Sequence, residues 1–157
     1  MKTVIVLSDT HRNIKAIESI KNIMDESDYV IHLGDFSSDM REYKKLYGEK
    51  LIIIDGNCDM FSAGESEKLI EIEEVKLFCC HGHKYGVKSG TERLKERGRE
   101  LKADICLFGH THEALVLDSD GIRLINPGCM TNLSPVKSYA YIVINGKKAV
   151  VKSVAVK

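Results

Sequence analysis

Apolar residues in the first half of the chain fall into short unbroken runs separated by helical stripes. Residues 3–7, 29–33 and 51–54 are runs of the kind made by strands buried on both faces. Between the first two, Ile14, Ile17, Ile20, Ile23 and Met24 recur at helical spacing. That spacing predicts a helix over residues 13–24 with Asn13 as its N-cap. Residues 39–47 predict a second helix, closed by Gly48 just past its end. A βαβαβ order points to an α/β sandwich with a partly parallel sheet.

The second half reads differently. Residues 68–73 and 75–80 predict paired strands with a tight connection. A charged helix over 91–102 turns Leu94 and Leu101 inward, and a short buried strand comes next at 105–108. Residues 114–117 and 122–125 flank Ser119-Asp120-Gly121, a hairpin signal. Residues 139–144 and 147–156 flank Asn145-Gly146, which predicts a type I′ hairpin turn. Two packed mixed β-sheets with helices outside accommodate both halves. No linker, low-complexity tract or internal repeat divides residues 1–157, so one domain is expected. The β-rich tail offers an edge strand, and with it a contact for a homo-oligomer.

The chemistry-bearing residues sit just past the end of each buried run. Ser8-Asp9-Thr10-His11 ends the first, Gly34-Asp35 the second and Asp55-Gly56-Asn57-Cys58-Asp59 the third. His81-Gly82-His83 comes after residues 75–80, and Gly109-His110-Thr111-His112 after 105–108. Ligands of α/β sheets bind at the carboxyl ends of strands. The five loops are therefore expected to converge on one edge of one sheet. Imidazoles and carboxylates together suit Zn, Mn, Fe or Ni, and the oxygen share admits Mg. Asp9, His11, Asp35, Asn57, His81, His83, His110 and His112 are too many for one ion with open positions. Two ions about 3.5–4 Å apart, bridged by a carboxylate, would use them.

Composition narrows the field. The chain has 23 Lys+Arg, 23 Asp+Glu and no net charge, which removes the simplest case for nucleic-acid binding. Aromatics are 6% with no Trp, a poor base-stacking platform. The 5 cysteines are odd in number, include the adjacent pair Cys79–Cys80 and form no CxxC. That excludes a disulfide framework and a four-thiolate zinc site, and reduced thiols are expected. The apolar start meets Ser8-Asp9 too early for a signal peptide, and no run approaches a membrane span. A cytoplasmic location is the expectation. Most of the 6 histidines lie in two clusters.

In combination the motifs resemble the calcineurin-like metallophosphoesterase superfamily. Its pattern is D-x-H, G-D, G-N-x-[DE], H-G and G-H-x-H. The matching blocks are Asp9-Thr10-His11, Gly34-Asp35, Gly56-Asn57-Cys58-Asp59, His81-Gly82 and Gly109-His110-Thr111-His112. Ser8 and Asn13 about the first block, His32 before the second and Asn126-Pro127-Gly128 resemble the small bacterial and archaeal phosphodiesterase subgroup. The resemblance implies a four-layer α/β/β/α sandwich and a dinuclear centre. Asp9, His11 and His112 would hold one metal, Asn57, His81 and His110 the other, and Asp35 would bridge them. Two divalent cations are implied, Mn first, with Ni, Fe, Zn, Co and Mg as alternatives. A bridging hydroxide would attack phosphorus in line, and Asn57 would hydrogen-bond the phosphate.

The implied activity is hydrolysis of a small phosphodiester. The alternatives are a phosphomonoesterase at the same site and a non-catalytic protein-interaction scaffold of the same fold. No membrane partner is expected, and nucleic acid is disfavoured. Two positions depart from the family. Cys58 stands where phosphoprotein phosphatases carry a His that serves as leaving-group acid, and His83 is a replacement by position alone. Arg12 stands where the subgroup usually has Gly, facing either solvent or a substrate phosphate. His32 is expected to pack or support rather than ligate. Asp59 is expected to cap a turn, Asp39 to start a helix and Asn126 to line the rim. Lys84, Lys88, Arg93 and Lys95 read as a solvated face. Cys79, Cys80, Cys106 and Cys129 read as buried small apolar residues.

Overall fold

The computed structural model describes residues 1–60 and 64–156. Strands β1 (Lys2–Leu7), β2 (Tyr29–His32) and β3 (Leu51–Ile53) run parallel. They join a C-terminal hairpin of β9 (Ser138–Asn145) and β10 (Lys148–Ala155) in a mixed sheet ordered β10-β9-β1-β2-β3. The second sheet is ordered β4-β5-β6-β8-β7. It contains β4 (Glu67–Ile72), β5 (Val75–Cys80), β6 (Ile105–Leu107), β7 (Ala114–Ser119) and β8 (Ile122–Pro127). Its central β5, β6 and β8 are parallel, and its edges β4 and β7 are antiparallel.

Alternation along the strands builds the layers. Val4 and Val6 of β1 face the second sheet, where they meet Leu77, Cys79, Leu107 and Ile125 in one core. Ile5 and Leu7 point the other way, onto Ile17, Ile20 and Met24. On the far side Phe78, Cys80 and Cys106 pack against Leu94 of α4 (Glu92–Glu100). The unbroken apolar run at residues 3–7 is thus two half-runs serving two cores. Each fully buried Val, Ile or Leu contributes about 1.5–3 kcal/mol. The α/β/β/α sandwich is as the sequence implies.

Local expectations are met with adjustments. The stripe over 13–24 forms two short helices, α1 (Ile14–Ser19) and α2 (Lys21–Glu26), broken at Ile20. The Ser19 hydroxyl donates to the Ala16 carbonyl at 2.7 Å, a back-bond that bends helices. Asn13 caps α1 as expected, accepting from Ala16 N at 3.4 Å. The 39–47 helix begins as a 3₁₀ turn, Ser37–Met40, and continues as α3 (Arg41–Tyr47). Leu94 is buried as expected, and Leu101 only partly so.

Two expectations are corrected. Asn145 pairs with Lys148, so the final turn is centred on Gly146-Lys147, one residue later than the motif suggests. Gly146 takes φ 58, and β10 occupies the sheet edge. Lys95 is not on a solvated face: it is buried, with its ammonium 2.6 Å from Glu92 and 3.1 Å from Asp120. The β7–β8 turn brings Asp120 over it, which the helix sequence could not reveal. Lys84, Lys88 and Arg93 are exposed. Among the described residues no helix is long and apolar enough to cross a membrane.

Candidate metal centre

The five polar loops do meet, but not on one sheet. Asp9, Asp35 and Asn57 come after β1, β2 and β3 of the first sheet, whereas His81, His110 and His112 come after β5 and β6 of the second. The expectation of a single sheet edge is corrected: the carboxyl ends of two parallel sets face each other across the sandwich. Chain order alone cannot tell one sheet from two.

Two groups of ligand atoms result: Asp9, His11, Asp35 and His112, and Asp35, His81 and His110. They share Asp35. Its Oδ2 lies 3.7 Å from His11 Nε2, and its Oδ1 lies 3.4 Å from His81 Nε2. Asn57 Oδ1 is 3.1 Å from His81 Nε2 and joins the second group. Asp9 Oδ1 lies 3.1 Å from His112 Nε2 and 4.0 Å from His11 and His81 Nε2. The His83 ring stands 5.4 Å from that of His81 and 6.1 Å from that of His110, beside the second group.

The donor set fits cations. Among the described residues, Asp9 Oδ1 and His11 Nε2 are buried without a hydrogen-bond partner, although both are strongly polar. Such atoms are costly unless something satisfies them. The Leu33 carbonyl can only accept, so His81 carries its proton on Nδ1, which donates at 2.8 Å. Its Nε2 lone pair is thereby aimed at Asp35 and Asn57, as in metal-binding histidines.

Close approach and backbone strain set the arrangement. Asp9, His11, Asp35, His110 and His112 take φ of 53°, 43°, 59°, 68° and 63°, left-handed values that cost non-glycine residues about 1–3 kcal/mol. Supporting bonds hold them there. Asp9 Oδ2 accepts from Ser8 Oγ at 2.6 Å and from His110 N at 3.1 Å. Asp59 does cap a turn: its carboxylate accepts from the backbone N–H groups of Asp35, Ser37 and Gly56 at 2.9, 2.8 and 2.7 Å. Asn126 donates to the Gly109 carbonyl and Thr111 Oγ1, both at 3.0 Å, and braces the Gly109–His112 loop.

His32 supports the site, as expected of it. Its Nδ1 accepts from Gly34 N at 3.1 Å, so Nε2 carries the proton and donates to Thr10 Oγ1 at 3.1 Å. Thr10 Oγ1 donates in turn to Asp39 at 2.7 Å. Asp39 also receives Arg12 N at 2.9 Å, so beyond its place in the 3₁₀ turn it ties down the Asp9–Arg12 loop. Burial lowers His32 to about 4, which keeps it neutral. The sequence shows Ser8 and Thr10 only as parts of a motif block, with no role attached, and gives no sign of Phe36. Phe36 comes after Asp35 in a second left-handed position, with its ring 5.0 Å from that of His11.

Charge coupling runs through the whole set. Burial opposes ionisation of Asp9 and Asp35, but neighbouring His112 and His81 respectively outweigh it and hold both carboxyls low. Asp9 raises His112; burial works against His81, yet Asp35 and Asp9 raise it too. Burial instead lowers His83 and His110. A cation bound here competes with protons for the Nε2 lone pairs of His81 and His112. Affinity is therefore expected to rise with pH and to fall on acidification. Calorimetry of Mn binding in two buffers of different ionisation enthalpy checks this. Proton-free, pH-independent uptake would refute it.

Cys58 is exposed, and Cys79, Cys80, Cys106 and Cys129 are buried, all as free thiols. Burial pushes the Cys58 thiol up to about 11, with nearby Asp35 adding to the effect. Burial likewise raises Cys79 and Cys106 to about 12.

Residues 1–148 match the model of the calcineurin-like phosphoesterase superfamily domain. The chain is 30% identical over 152 residues to the probable metallophosphoesterase YsnB of Bacillus subtilis, covering 95% of this chain and 88% of that protein. It is 30% identical over 145 residues to a phosphodiesterase of Methanocaldococcus jannaschii, covering 78% and 81%. It is 30% identical over 149 residues to vacuolar protein sorting-associated protein 29 of Schizosaccharomyces pombe, covering 89% and 80%. A Streptococcus pneumoniae structure described as a predicted phosphoesterase superposes with a TM-score of 0.83 at 26% identity, covering 98% and 89%. With its motif blocks gathered at the carboxyl ends of two facing sheets, this chain belongs to the calcineurin-like phosphoesterase superfamily.

Proposed function

We propose that this protein is a divalent-metal-dependent phosphodiesterase with a dinuclear centre, acting on a small phosphodiester. The observation that carries the reading is Asp35, shared between two ligand groups, the first of which contains Asp9 Oδ1 and His11 Nε2, buried and without a hydrogen-bond partner among the described residues. Asp9, His11 and His112 would hold one cation, Asn57, His81 and His110 the other, and Asp35 both. Such cations supply Lewis acidity toward phosphoryl oxygens and lower the pKa of water. Mn heads the candidates, with Ni, Fe, Zn, Co and Mg behind it.

The chain's own residues supply position and hydrogen bonding. The Leu33 carbonyl fixes the His81 tautomer, and the Asp59 carboxylate fixes the turn that carries Asp35. Asn57 Oδ1 faces His81 and its Nδ2 donates one N–H to Cys58 Sγ at 3.5 Å, which leaves the other N–H to donate to a substrate phosphate. The test is hydrolysis of bis(4-nitrophenyl) phosphate with added Mn or Ni, lost on chelation. Absence of tightly bound metal together with absence of hydrolysis would favour the scaffold reading, in line with the vacuolar-sorting relative.

Cys58 argues for diesters with good leaving groups over alkyl monoesters. Its thiol keeps its proton at neutral pH and is a weak donor. Burial lowers His83, which disfavours the imidazolium form that a leaving-group acid needs. General acid catalysis contributes typically 10²–10⁴-fold where a basic leaving group needs a proton. Cys58→His is expected to raise activity on alkyl phosphomonoesters relative to aryl diesters by at least about tenfold. Steady-state kcat/KM on both classes checks this, and an unchanged ratio refutes it.

A further inference from the structure

A second cleft opens beside the proposed centre. It has a volume of about 430 Å³ and is lined by Arg12, Phe36, Arg41, Cys58, Asp59 and Met60, among others. It shares walls with the ligand-bearing loops. Arg12 is next to His11 in sequence, Phe36 is next to Asp35, and Cys58 N donates to Asp35 Oδ1 at 2.9 Å. A group in this cleft is therefore a neighbour of whatever sits on Asp35.

The cleft's lining holds two arginines and one acid. The Arg12 guanidinium lies 5.3 Å from the centroid of the Phe36 ring, a cation–π contact that steadies it without neutralising it. Among the described residues no ion pair joins the Arg12 or Arg41 side chain to a carboxylate, although Asp39 Oδ2 accepts from the Arg12 backbone N–H at 2.9 Å. The only acid among the lining residues is Asp59, whose oxygens are already taken by three backbone N–H groups. Two arginines thus line an open cleft, and their planar five-donor forks match phosphate and carboxylate oxygens.

The geometry points to a subsite for a second anionic group: the substrate is a small phosphoester carrying a further phosphate or carboxylate, bound by Arg12 and Arg41 while the scissile phosphate lies at Asp35. This deepens the proposed phosphodiesterase reading and rests on it for the scissile position. Phe36 is then a positioning residue that holds Arg12 over the cleft. A chain with no net charge so gains a local anion site from two arginines whose side chains form no ion pair among the described residues.

The test uses the metal-loaded protein and two inhibitors of bis(4-nitrophenyl) phosphate hydrolysis, thymidine 5′-phosphate and thymidine 3′,5′-bisphosphate. They differ only in the second anion. The bisphosphate is expected to inhibit roughly tenfold or more tightly, the worth of one charge-assisted hydrogen bond. Arg12→Gly, which relieves a backbone at φ 64, and Arg41→Ala are each expected to collapse that ratio toward one. Reading the ratio cancels any general loss of activity. Equal inhibition in the wild type, or a ratio unmoved by both variants, would overturn the subsite. If the aryl diester is not hydrolysed at all, the phosphodiesterase reading fails. Calorimetric binding of the two nucleotides then still decides the subsite, by the same ratio in the same variants.

Discussion

Asp35→Asn is expected to cut metal-dependent hydrolysis of bis(4-nitrophenyl) phosphate by roughly 10³-fold or more. The exchange keeps the shape of the side chain and one oxygen for Cys58 N. It removes the charge and turns one acceptor into a donor. Asp35 Oδ2 faces His11 Nε2 at 3.7 Å and Oδ1 faces His81 Nε2 at 3.4 Å, so an NH₂ group on either side spoils one of the two groups. Losing several kcal/mol of Lewis-acid stabilisation, at tenfold per about 1.4 kcal/mol, accounts for the size of the effect. The checks are kcat/KM with saturating Mn and the metal content of the purified variant. Activity within tenfold of wild type, in a variant that melts like wild type, would remove Asp35 from the bridging role.

Gly56→Ala is expected to cost about 1–3 kcal/mol of stability and about 10²-fold in activity together. A Cβ at Gly56 would lie 2.2 Å from Asp35 Oδ1 and 2.5 Å from Asp35 N. The second contact is with backbone, so the clash is not relieved by rotating a side chain. Asp35 or the Gly56–Asp59 turn must move, and the Asp59 bonds that hold both would loosen. A displacement near 1 Å at a reacting centre is worth about 10²-fold. Thermal melting and diester kinetics check the pair of effects. An Ala variant unchanged in both would show that this approach is not needed. Gly109 is under similar pressure, because a Cβ there would lie 2.1 Å from Ser8 Oγ and 2.7 Å from Asp9 Oδ2.

Asp35 and Gly56 are unequally visible in the chain. Asp35 stands out because Gly-Asp closes a buried run. The need for Gly56 does not, since a glycine before Asn57 reads equally well as a turn residue. Only the contact with Asp35, from a different strand end, distinguishes the two. Asp59, Thr10 and Asp39 are similar cases: their residue types suggest caps, and the tertiary structure names the groups they cap.

The sequence by itself determined the strands, the helical stripes and the strand-end ligand residues. Those signals are local: side-chain period, apolar run length and the polar residue that ends each run. It also placed the fold, since runs such as residues 3–7 must be covered on both faces and helices lie nearest to do so. Only the tertiary structure decided that the loops come from two sheets, that Lys95 is buried under Asp120, and that Arg12 and Arg41 share an open cleft. These depend on which distant segments meet. Strand pairing sets that through contacts between residues far apart in sequence, such as Asp9 and His110 at a separation of 101, and no local pattern carries that information.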